Sequence, residues 1–406
     1  MERRRFLSLL GALPLAAASA CRAKIAALAP EHVVAPACAA DTASADTPAE
    51  WWRRTLVLVE LEGGNDGLNT VIPFADAAYY RLRPKLAIKR ERVIQADERL
   101  GFNAALEPLM PWWQGCRMAV VLGVGYPEPN LSHFRSVEIW ETASETGEYL
   151  DSGWVARLFA ERPQREALAA DGIILGRNQA GPLFGPGFRA VSLNKPEDAV
   201  RQAKKMKDLA HAATNPALAH VVRVQNDIRR AAERILETGV DTIDPGASFA
   251  ATPFGRQLEI AARLLRAGVA VPVIKVSIGS FDNHANQART HQVLLEQLAS
   301  GLAAFAQSME TAGLWDRVLV MTYSEFGRRA GENGSAGTDH GTAAPHLMMG
   351  GRVRGGFYGE QPSLDGLADG NLVHGIHFRS LYATVAREWW GLKAPAIAEP
   401  ALSCIA

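Results

Sequence analysis

Short apolar runs rich in Val, Leu and Ile alternate along this chain with longer amphipathic segments, and this alternation limits the possible folds more than any other feature. The strand-like runs are Thr55–Leu61, Met118–Val124, Val269–Ile278, Val318–Tyr323 and a shorter one, His346–Met349. The helical patterns between them are Leu131–Ala143, Pro253–Ala267 and Thr290–Ala312. Strands that are apolar throughout are typical of sheets buried on both faces. The alternation therefore predicts an α/β fold with a largely parallel sheet and helices on both sides.

The composition is that of an ordinary globular protein. Of the 406 residues, 48% are hydrophobic and 21% are charged, which excludes a disordered chain. The 43 basic and 43 acidic residues leave a formal net charge of zero, so we expect no nucleic-acid partner. Residues 196–240 are rich in Ala, Lys, Arg and Glu, with apolar residues at helical spacing. We interpret them as a helical insertion within a domain that spans residues 51–406.

The first residues have the three parts of a secretory signal. Three arginines, Arg3–Arg5, precede Phe6 and Leu7, and the apolar stretch that follows ends in the small residues Ala18–Ala20. Paired arginines before Phe-Leu are similar to a twin-arginine signal, and a general secretory signal with incidental arginines is the alternative. We therefore expect residues 1–20 to be a twin-arginine-type signal peptide and the twin-arginine export machinery to be a partner. The mature protein would then be periplasmic or otherwise exported.

The next segment separates the signal from the folded body. Residues 21–50 are rich in Ala, Pro, Thr and Asp and lack periodicity, which is typical of a flexible tether. Cys21 directly follows the expected cleavage site, so a lipid anchor on this cysteine is an alternative to free release. Cys116 and Cys404 lie in the folded body, where an oxidising compartment would allow a disulfide bond that the sequence does not establish. No later stretch is long and apolar enough for a membrane helix, so we expect no transmembrane segment in the mature protein.

Residues with metal-binding side chains lie at or near the ends of several predicted strands. They are Asp66, Asp282, His284, Glu325, Asp339 and His340. Ligands of open α/β sheets bind beyond the carboxyl ends of the strands, and carboxylates and imidazoles are ligands of zinc and related divalent ions. Turn formation and helix capping are the alternative roles of each residue taken singly. Taken together, the pair Asp282 and His284 and the pair Asp339 and His340 predict a divalent-metal site that could take zinc, manganese, magnesium or calcium.

Ser132 is the candidate nucleophile. It follows the second predicted strand at the start of a helix, where the positive end of the helix dipole would stabilise an alkoxide and an incoming anion. A divalent ion nearby would activate the hydroxyl further, and a plain N-cap is the alternative role. His133 and Arg135 could hold a phosphate or sulfate oxygen, or could point to solvent. One of His374 and His377, before the terminal helix, could also reach the site.

Several stretches together resemble the DUF1501 family of exported proteins. They are Glu60–Asn69, Tyr126–Phe134, Phe281–Gln287, Ser324–Arg328 and Gly337–Thr342, and the likeness extends over residues 53–390. That family is grouped with the alkaline phosphatase and sulfatase superfamily. The resemblance implies a three-layer α/β/α sandwich with a mostly parallel, doubly wound sheet. It also implies a site with a pair of metal ions that hydrolyses phosphate or sulfate esters.

The same resemblance implies roles for individual residues. Asp66 would bind one metal, and Ser132 would be the nucleophile. The ligands of the other metal would come from Asp282, His284 and His340, with Asp339 as an additional candidate. Glu325 stands where the superfamily has the Asp of an Asp-His pair. Phe326 stands where that pair has its His, and it cannot bind a metal.

From these observations we expect an exported, metal-dependent hydrolase of phosphate or sulfate esters, acting on a small-molecule or polymeric substrate. The alternative is a non-catalytic protein that keeps the fold and a metal and serves in binding or assembly at the cell surface. The metal content of the purified protein and its activity on aryl phosphates and sulfates would separate these two hypotheses.

Overall fold

The computed structural model describes residues 48–160, 168–193, 233 and 237–406. The predicted signal peptide (1–20), almost all of the tether (21–50) and nearly all of the helical insertion (196–240) lie outside the described residues. The division of the chain into these segments therefore stays a prediction.

The described elements alternate as the sequence pattern predicts. The strands are β1 (Thr55–Leu61), β2 (Val71–Ile72), β3 (Val93–Gln95), β4 (Gly101–Asn103), β5 (Met118–Gly125), β6 (Gly172–Ile174), β7 (Ala190–Ser192), β8 (Val273–Ile278), β9 (Val318–Tyr323), β10 (Ala344–Gly350), β11 (Gly356–Tyr358) and β12 (Ile376–His377). The helices are α1 (Ala77–Leu82), α2 (Met110–Gln114), α3 (His133–Thr142), α4 (Trp154–Ala160), α5 (Pro253–Arg266), α6 (Gln287–Thr311) and α7 (Arg379–Ala383), which continues as a π-helix over Thr384–Trp389. The five predicted strands correspond to β1, β5, β8, β9 and β10, and the bounds of β1 and β9 are those predicted.

The main sheet is mixed but mainly parallel. Its order is β11-β5-β10-β9-β1-β8-β6-β7, with β12 also beside β5. All its strand pairs are parallel except those that β10 makes with β5 and β9. Because β10 runs opposite to its neighbours, its first residue lies at the edge where β1, β5, β8 and β9 end. We call this edge, onto which several loops converge, the carboxyl edge.

Two hydrophobic cores lie on opposite faces of the main sheet. Val57 and Val59 of β1 belong to the core formed with α5 and α6, whereas Leu56 and Leu58 belong to the core formed with α3, α4 and α7. This division follows from the alternation of side chains along a strand. The fold is therefore the three-layer α/β/α sandwich that was expected. A small antiparallel sheet of order β2-β4-β3 lies outside the main one.

The helix α5 shows how local sequence sets an element's start. Thr252 precedes the helix, and its side chain accepts a hydrogen bond from the amide of Gly255, while Pro253 occupies the first helical position. Both are standard helix-start features, since the cap satisfies an otherwise unpaired amide and proline has no amide to satisfy. The last residue, Arg266, lies one residue before the predicted end of the helix.

The cysteines of the folded body do not pair with each other. Cys116 is disulfide-bonded, whereas Cys404 is a free thiol that is fully buried. Within the part of the chain that the structure describes, none of the helices combines the length and apolarity needed to cross a membrane.

Candidate metal centre

Four of the predicted site residues meet at the carboxyl edge. His133 is the first residue of α3, Asp282 and His284 follow β8, and His340 lies in the loop between β9 and β10. Their ring nitrogens and carboxylate oxygens approach each other closely, and those of His133, Asp282 and His340 all lie within 4.8 Å of one another. We call His133, Asp282, His284 and His340 the metal cluster.

The imidazoles of the metal cluster all turn their Nε2 atoms toward Asp282. The Oδ1 atom of Asp282 is 2.8 Å from His284 Nε2 and 3.1 Å from His340 Nε2, and its Oδ2 is 3.3 Å from His133 Nε2. The Nε2 atoms of His284 and His340 are themselves only 3.1 Å apart. Ring nitrogens of His133 and His340 thus lie with an oxygen of Asp282 in one small volume, and His284 adjoins it through Asp282 and His340.

The opposite nitrogen of each ring faces an oxygen. His340 Nδ1 is 2.8 Å from the carbonyl oxygen of Leu131, and His133 Nδ1 is 3.0 Å from Glu325 Oε1. His284 Nδ1 lies 3.4 Å from Asp339 Oδ1, a longer contact of the same kind. Each ring therefore has an oxygen beside both of its nitrogens, and a neutral ring can carry its proton on either one. With the proton on Nδ1, Nε2 presents a lone pair that can bind a metal ion. In metal sites, such outer partners orient histidine ligands in this way.

With the protons on Nδ1, the Nε2 lone pairs and the Asp282 carboxylate would form a donor set that fits a divalent ion. In a tetrahedral site with bonds of 2.0–2.1 Å, neighbouring ligand atoms are about 3.3 Å apart. The observed separations of 2.8 to 3.3 Å around Asp282 are close to that value. Imidazole nitrogens suit zinc and other transition metals better than magnesium or calcium, which prefer oxygen.

Arg328 holds Asp282 of the metal cluster in place through buried hydrogen bonds. Its buried guanidinium donates to Asp282 Oδ1 at 2.6 Å and to the carbonyl oxygens of Gly64 and Thr338 at 2.7 and 2.9 Å. It thereby joins the segments that follow β1, β8 and β9. Desolvation by itself would raise the pKa of Asp282, but the hydrogen bond and charge of Arg328, helped by His340 and His284, outweigh it and lower the pKa to about 2. Asp282 is therefore a carboxylate throughout the physiological range.

Glu325 and Phe326, which follow β9, contact histidines of the metal cluster but do not belong to the ligand set. Glu325 is 5% exposed and accepts from His133 Nδ1 and, at 2.8 Å, from the amide of Gly63, so it orients a ligand histidine. The ring of Phe326 packs against His340 and His133, with centroids 4.4 and 4.9 Å apart. Phe326 is thus an apolar wall that limits rotation of both imidazoles. Asp339, which is 55% exposed, has its Oδ1 against His284.

Asp66 lies at the predicted strand end but has other partners. Its carboxylate is 2% exposed and forms an ion pair with Arg83, whose Nη1 is 2.7 Å from Oδ2, and it also accepts from Gln287. Burial opposes ionisation, but the charge of Arg83 and the other donors outweigh it and lower the pKa of Asp66. The structure does not bring Asp66 into the metal cluster. The charge of Asp66 is balanced by an arginine in this arrangement, and its role as a metal ligand stays a prediction.

Ser132 and Arg135, which were predicted to act together, have different surroundings in the structure. Ser132 is exposed and occupies the N-cap position of α3, but its side chain makes no capping hydrogen bond. The carboxamide of Asn130 instead accepts from the amide of Ser132 at 2.9 Å. Arg135 is 8% exposed, donates to the carbonyl oxygens of Glu145 and Thr146, and is therefore a loop anchor. Its hydrogen bonds hold the segment after α3, and a contact of Arg135 with a substrate oxygen stays a prediction.

His374 and His377 remain outside the metal cluster. His377 Nδ1 lies 3.7 Å from Glu399, and burial is the main cause that lowers its pKa, to about 4. His374 packs against Gly125 at the end of β5. The suggestion that one of them reaches the site therefore finds no support in their contacts.

Two buried charges were missed by the sequence analysis. Lys275 of β8 is 3% exposed and lies 2.9 Å from Glu60 of β1. Its ammonium also lies 3.5 Å from Glu141 of α3, a carboxyl whose pKa is raised to about 7, mainly by burial. Lys275 could have been noticed in the sequence as a charged residue inside an otherwise apolar strand. A buried charge is rarely left without a partner, so it predicts a carboxylate nearby.

Several solved structures match most of the chain, but at low identity and with low TM-scores. The lipoteichoic acid synthase LtaP from Listeria monocytogenes is 9% identical, with a TM-score of 0.37 over 84% of this chain and 73% of that one. A protein in the alkaline phosphatase superfamily from Vibrio parahaemolyticus is 11% identical, with a TM-score of 0.33 over 84% of this chain and 67% of that one. The phosphonate monoester hydrolase SpPMH from Silicibacter pomeroyi is 11% identical, with a TM-score of 0.34 over 86% and 76% of the two chains. TM-scores this low carry no argument about activity.

Sequence comparison is more decisive. No curated protein matches the chain. A family model described as "Protein of unknown function (DUF1501)" matches residues 123–392, which is well over half of the chain and includes the whole metal cluster. This protein therefore belongs to the DUF1501 family.

Proposed function

We propose that this protein is a metal-dependent hydrolase of phosphate or sulfate esters. The single observation that carries the proposal is the convergence of three imidazole Nε2 atoms on Asp282 while their Nδ1 atoms are held by oxygens. Protonated Nε2 atoms could instead donate to Asp282, but those of His284 and His340 lie only 3.1 Å apart, a distance that two N–H groups would not favour. The arrangement is explained when His133, Asp282, His284 and His340 hold a divalent ion.

The bound ion would supply Lewis-acid stabilisation of the negative charge that develops on the ester oxygens. The chain supplies the orientation of the ligands. Arg328 and Glu325 hold Asp282 and His133 from outside the ligand set, and Phe326 keeps water from one side of the imidazoles. Held in this way, the ligands need little rearrangement when charge develops.

The start of α3 is suited to an anionic ester. His133 is the first helical residue, so the unpaired backbone amides of the first turn lie next to the metal cluster. These amides and the positive end of the helix dipole favour a phosphate or sulfate group. Ser132 directly precedes them, is exposed and spends no hydrogen bond on capping. Its hydroxyl is therefore the group best suited to attack an ester bound there.

In the proposed reaction, the Ser132 oxygen forms a bond to phosphorus or sulfur, and the bond from that atom to the alcohol oxygen breaks. The serine proton is lost to solvent or to the departing alcohol. Water then attacks the phosphoryl or sulfuryl group on Ser132, which restores the serine and releases phosphate or sulfate. No redox partner is needed, and atoms and charge balance in both steps.

Ser132→Ala and Ser132→Gly test this role, with Ser335→Ala, an exposed serine on the loop before His340, as the matched control. Both Ser132 variants should lose turnover of aryl phosphates or sulfates while they keep their metal. Because the side chain makes no capping bond, the free energy of unfolding should change by less than the ~1 kcal/mol of a true N-cap. Mass spectrometry of the quenched wild type should find the phosphoryl or sulfuryl group on Ser132. Activity retained in Ser132→Gly would exclude this serine as the nucleophile.

A second candidate function is favoured by one observation. Asp66 is neutralised by Arg83, and Phe326 stands where a further ligand would be, so the described residues provide a single metal cluster rather than a pair. This favours a non-catalytic metal-binding protein that serves in binding or assembly at the cell surface. Metal-loaded protein that stays inert toward a panel of aryl phosphates and sulfates would support this candidate and contradict the hydrolase.

We also propose export by the twin-arginine route, supported by Arg3 and Arg4 before Phe6 and Leu7. Changing Arg3 and Arg4 to lysine should leave the precursor in the cytoplasm, whereas normal export of that variant would contradict the proposal. Cell fractionation would locate the precursor. Metabolic labelling with a fatty acid would show whether Cys21 is lipidated.

A further inference from the structure

A cavity of about 400 Å³ opens directly beside the metal cluster. It reaches His133 and Asp282 at one end and is bounded by segments from the ends of β1, β6, β8 and β9 and by the first turns of α3. Its size falls within the range of small-molecule sites. An ester bound at the metal cluster would place its alcohol part in this cavity.

Of the four carboxylates that line the cavity, three face a cation, and the fourth, Glu325, is buried against His133 and the amide of Gly63. Glu60 lies 2.9 Å from Lys275, Glu62 lies 2.7 Å from Arg177, and Asp282 lies 2.6 Å from Arg328. A cationic substrate would therefore find little unpaired negative charge. A carboxylate has about four lone-pair positions, however, so a paired one can still accept hydrogen bonds from hydroxyl groups.

The cavity also offers donors. Arg177 is 68% exposed, its Nη1 lies 2.7 Å from Glu62 Oε2, and its guanidinium has five N–H groups with which it can also donate to a ligand. Gln179, from the same segment after β6, is exposed and adds an amide that can donate and accept. Acceptors and donors are thus interspersed along the same walls, as a ligand with several hydroxyl groups requires.

The opposite wall is apolar. Phe134, the second residue of α3, lines the cavity and is 92% exposed, the highest value among the large hydrophobic residues that are exposed. Val137 lies one helical turn further along the same wall. An exposed aromatic ring at the mouth of a polar cavity has no packing role in the free protein, and its flat face suits the C–H face of a sugar ring.

We propose that this cavity binds the alcohol part of the substrate and that this alcohol is a sugar-like polyol, stacked on Phe134 and hydrogen-bonded by Glu62, Arg177 and Gln179. The inference rests on the proposed ester hydrolase function and adds the substrate class. Small esters of choline or ethanolamine are the competing class, and the paired carboxylates disfavour them.

The test uses full-length, zinc-loaded protein that carries Ser132→Ala, so that bound esters are not consumed. Saturation-transfer NMR is recorded with the 6-phosphates and 6-sulfates of glucose, galactose and N-acetylglucosamine, and separately with phosphocholine and phosphoethanolamine. At least one sugar ester should receive saturation at its ring protons. Adding Phe134→Ala should weaken that binding by about tenfold. The control Phe184→Ala, which removes another exposed ring outside the cavity, should leave the binding unchanged.

Three results would overturn the assignment: no sugar ester binds, Phe134→Ala binds as tightly as its parent, or phosphocholine is preferred. Metal content is measured on the same samples. A protein without metal would contradict the proposed function itself, whereas normal metal content with no sugar-ester binding would contradict only the assignment of the cavity.

Discussion

Replacing His284 by alanine should destabilise the metal-loaded protein and leave the metal-free protein almost unchanged. The side chain is 45% exposed, and its ring contacts are to Asp282, His340 and Asp339. Without a metal, His284→Ala removes one of the lone pairs that face Asp282 and creates no buried cavity. We therefore expect a change within about 0.5 kcal/mol in the presence of a chelator.

The magnitude in the presence of metal follows from linkage. Free metal at 100 times its dissociation constant stabilises the native state by about 2.7 kcal/mol. Loss of an outer-shell partner already weakens metal binding 10–100-fold, so loss of a ligand such as His284 should weaken it by at least about 100-fold. The stabilisation by metal would then fall to roughly 0.4 kcal/mol, a loss of about 2 kcal/mol. With about 2.1 cal/mol/K of unfolding entropy per residue over roughly 350 residues, the melting temperature should fall by about 3 °C.

Differential scanning calorimetry with chelator and with excess zinc, together with elemental analysis, makes the measurement. His374→Ala is the matched control, because this half-buried histidine lies outside the metal cluster. It should leave the gain in melting temperature on adding zinc at its wild-type value. The reasoning is refuted if His284→Ala keeps full metal content and the same gain. An equal fall in melting temperature with and without metal would instead make His284 a packing residue.

Three further predictions concern the surroundings of the site. Glu325→Gln should weaken zinc binding about tenfold in a chelator competition, because the carboxylate that accepts from His133 Nδ1 is lost; unchanged affinity would contradict this orienting role. Arg83→Met should cost about 3–5 kcal/mol in urea unfolding, since it leaves the Asp66 carboxylate buried without its cation, and adding Asp66→Asn should recover part of the loss. An effect below about 1 kcal/mol would show that this ion pair is not needed. Burial lowers the pKa of His346 from 6.5 to about 3. Between these pH values the unfolded chain binds more protons than the folded one, so the free energy of unfolding decreases as the pH is lowered below 6.5. This single group should remove about 2 kcal/mol between pH 7 and pH 5 in chelator-treated protein, and His346→Gln should reduce the loss by that amount; an unaltered pH profile would contradict the assignment.

Much of the site could be predicted because its ligands follow apolar strands. Continuous apolar runs identify strands buried on both faces, which is why the bounds of β1 and β9 agree with the prediction. Parallel strands end at a common edge, so Asp282 and His284 could be expected near other residues that follow strands. His340 could be expected there because it lies beside Asp339 in the loop before the fifth predicted strand, and the family resemblance gave it the same role.

The roles of individual residues depended on partners far away in the chain. Asp66 is neutralised by Arg83, 17 residues on, and contacts Gln287, 221 residues on, neither of which a local pattern could associate with it. Similarly, α6 begins before its predicted start because the amides of Asn286 and Gln287 donate to carbonyl oxygens of the loop before His340. The local sequence has no signal for this cap.

The local pattern and the folded chain thus specify different things. Hydrophobic periodicity is a property of neighbouring residues, and it is enough to indicate the α/β architecture and the edge at which the chemistry lies. Which side chains meet there depends on strand direction and loop path. β10 is antiparallel because the chain returns from β9 at the carboxyl edge without a crossover helix, and this brings His340 to Asp282. The same geometry holds His133, rather than Asp66 or Arg135, against that carboxylate.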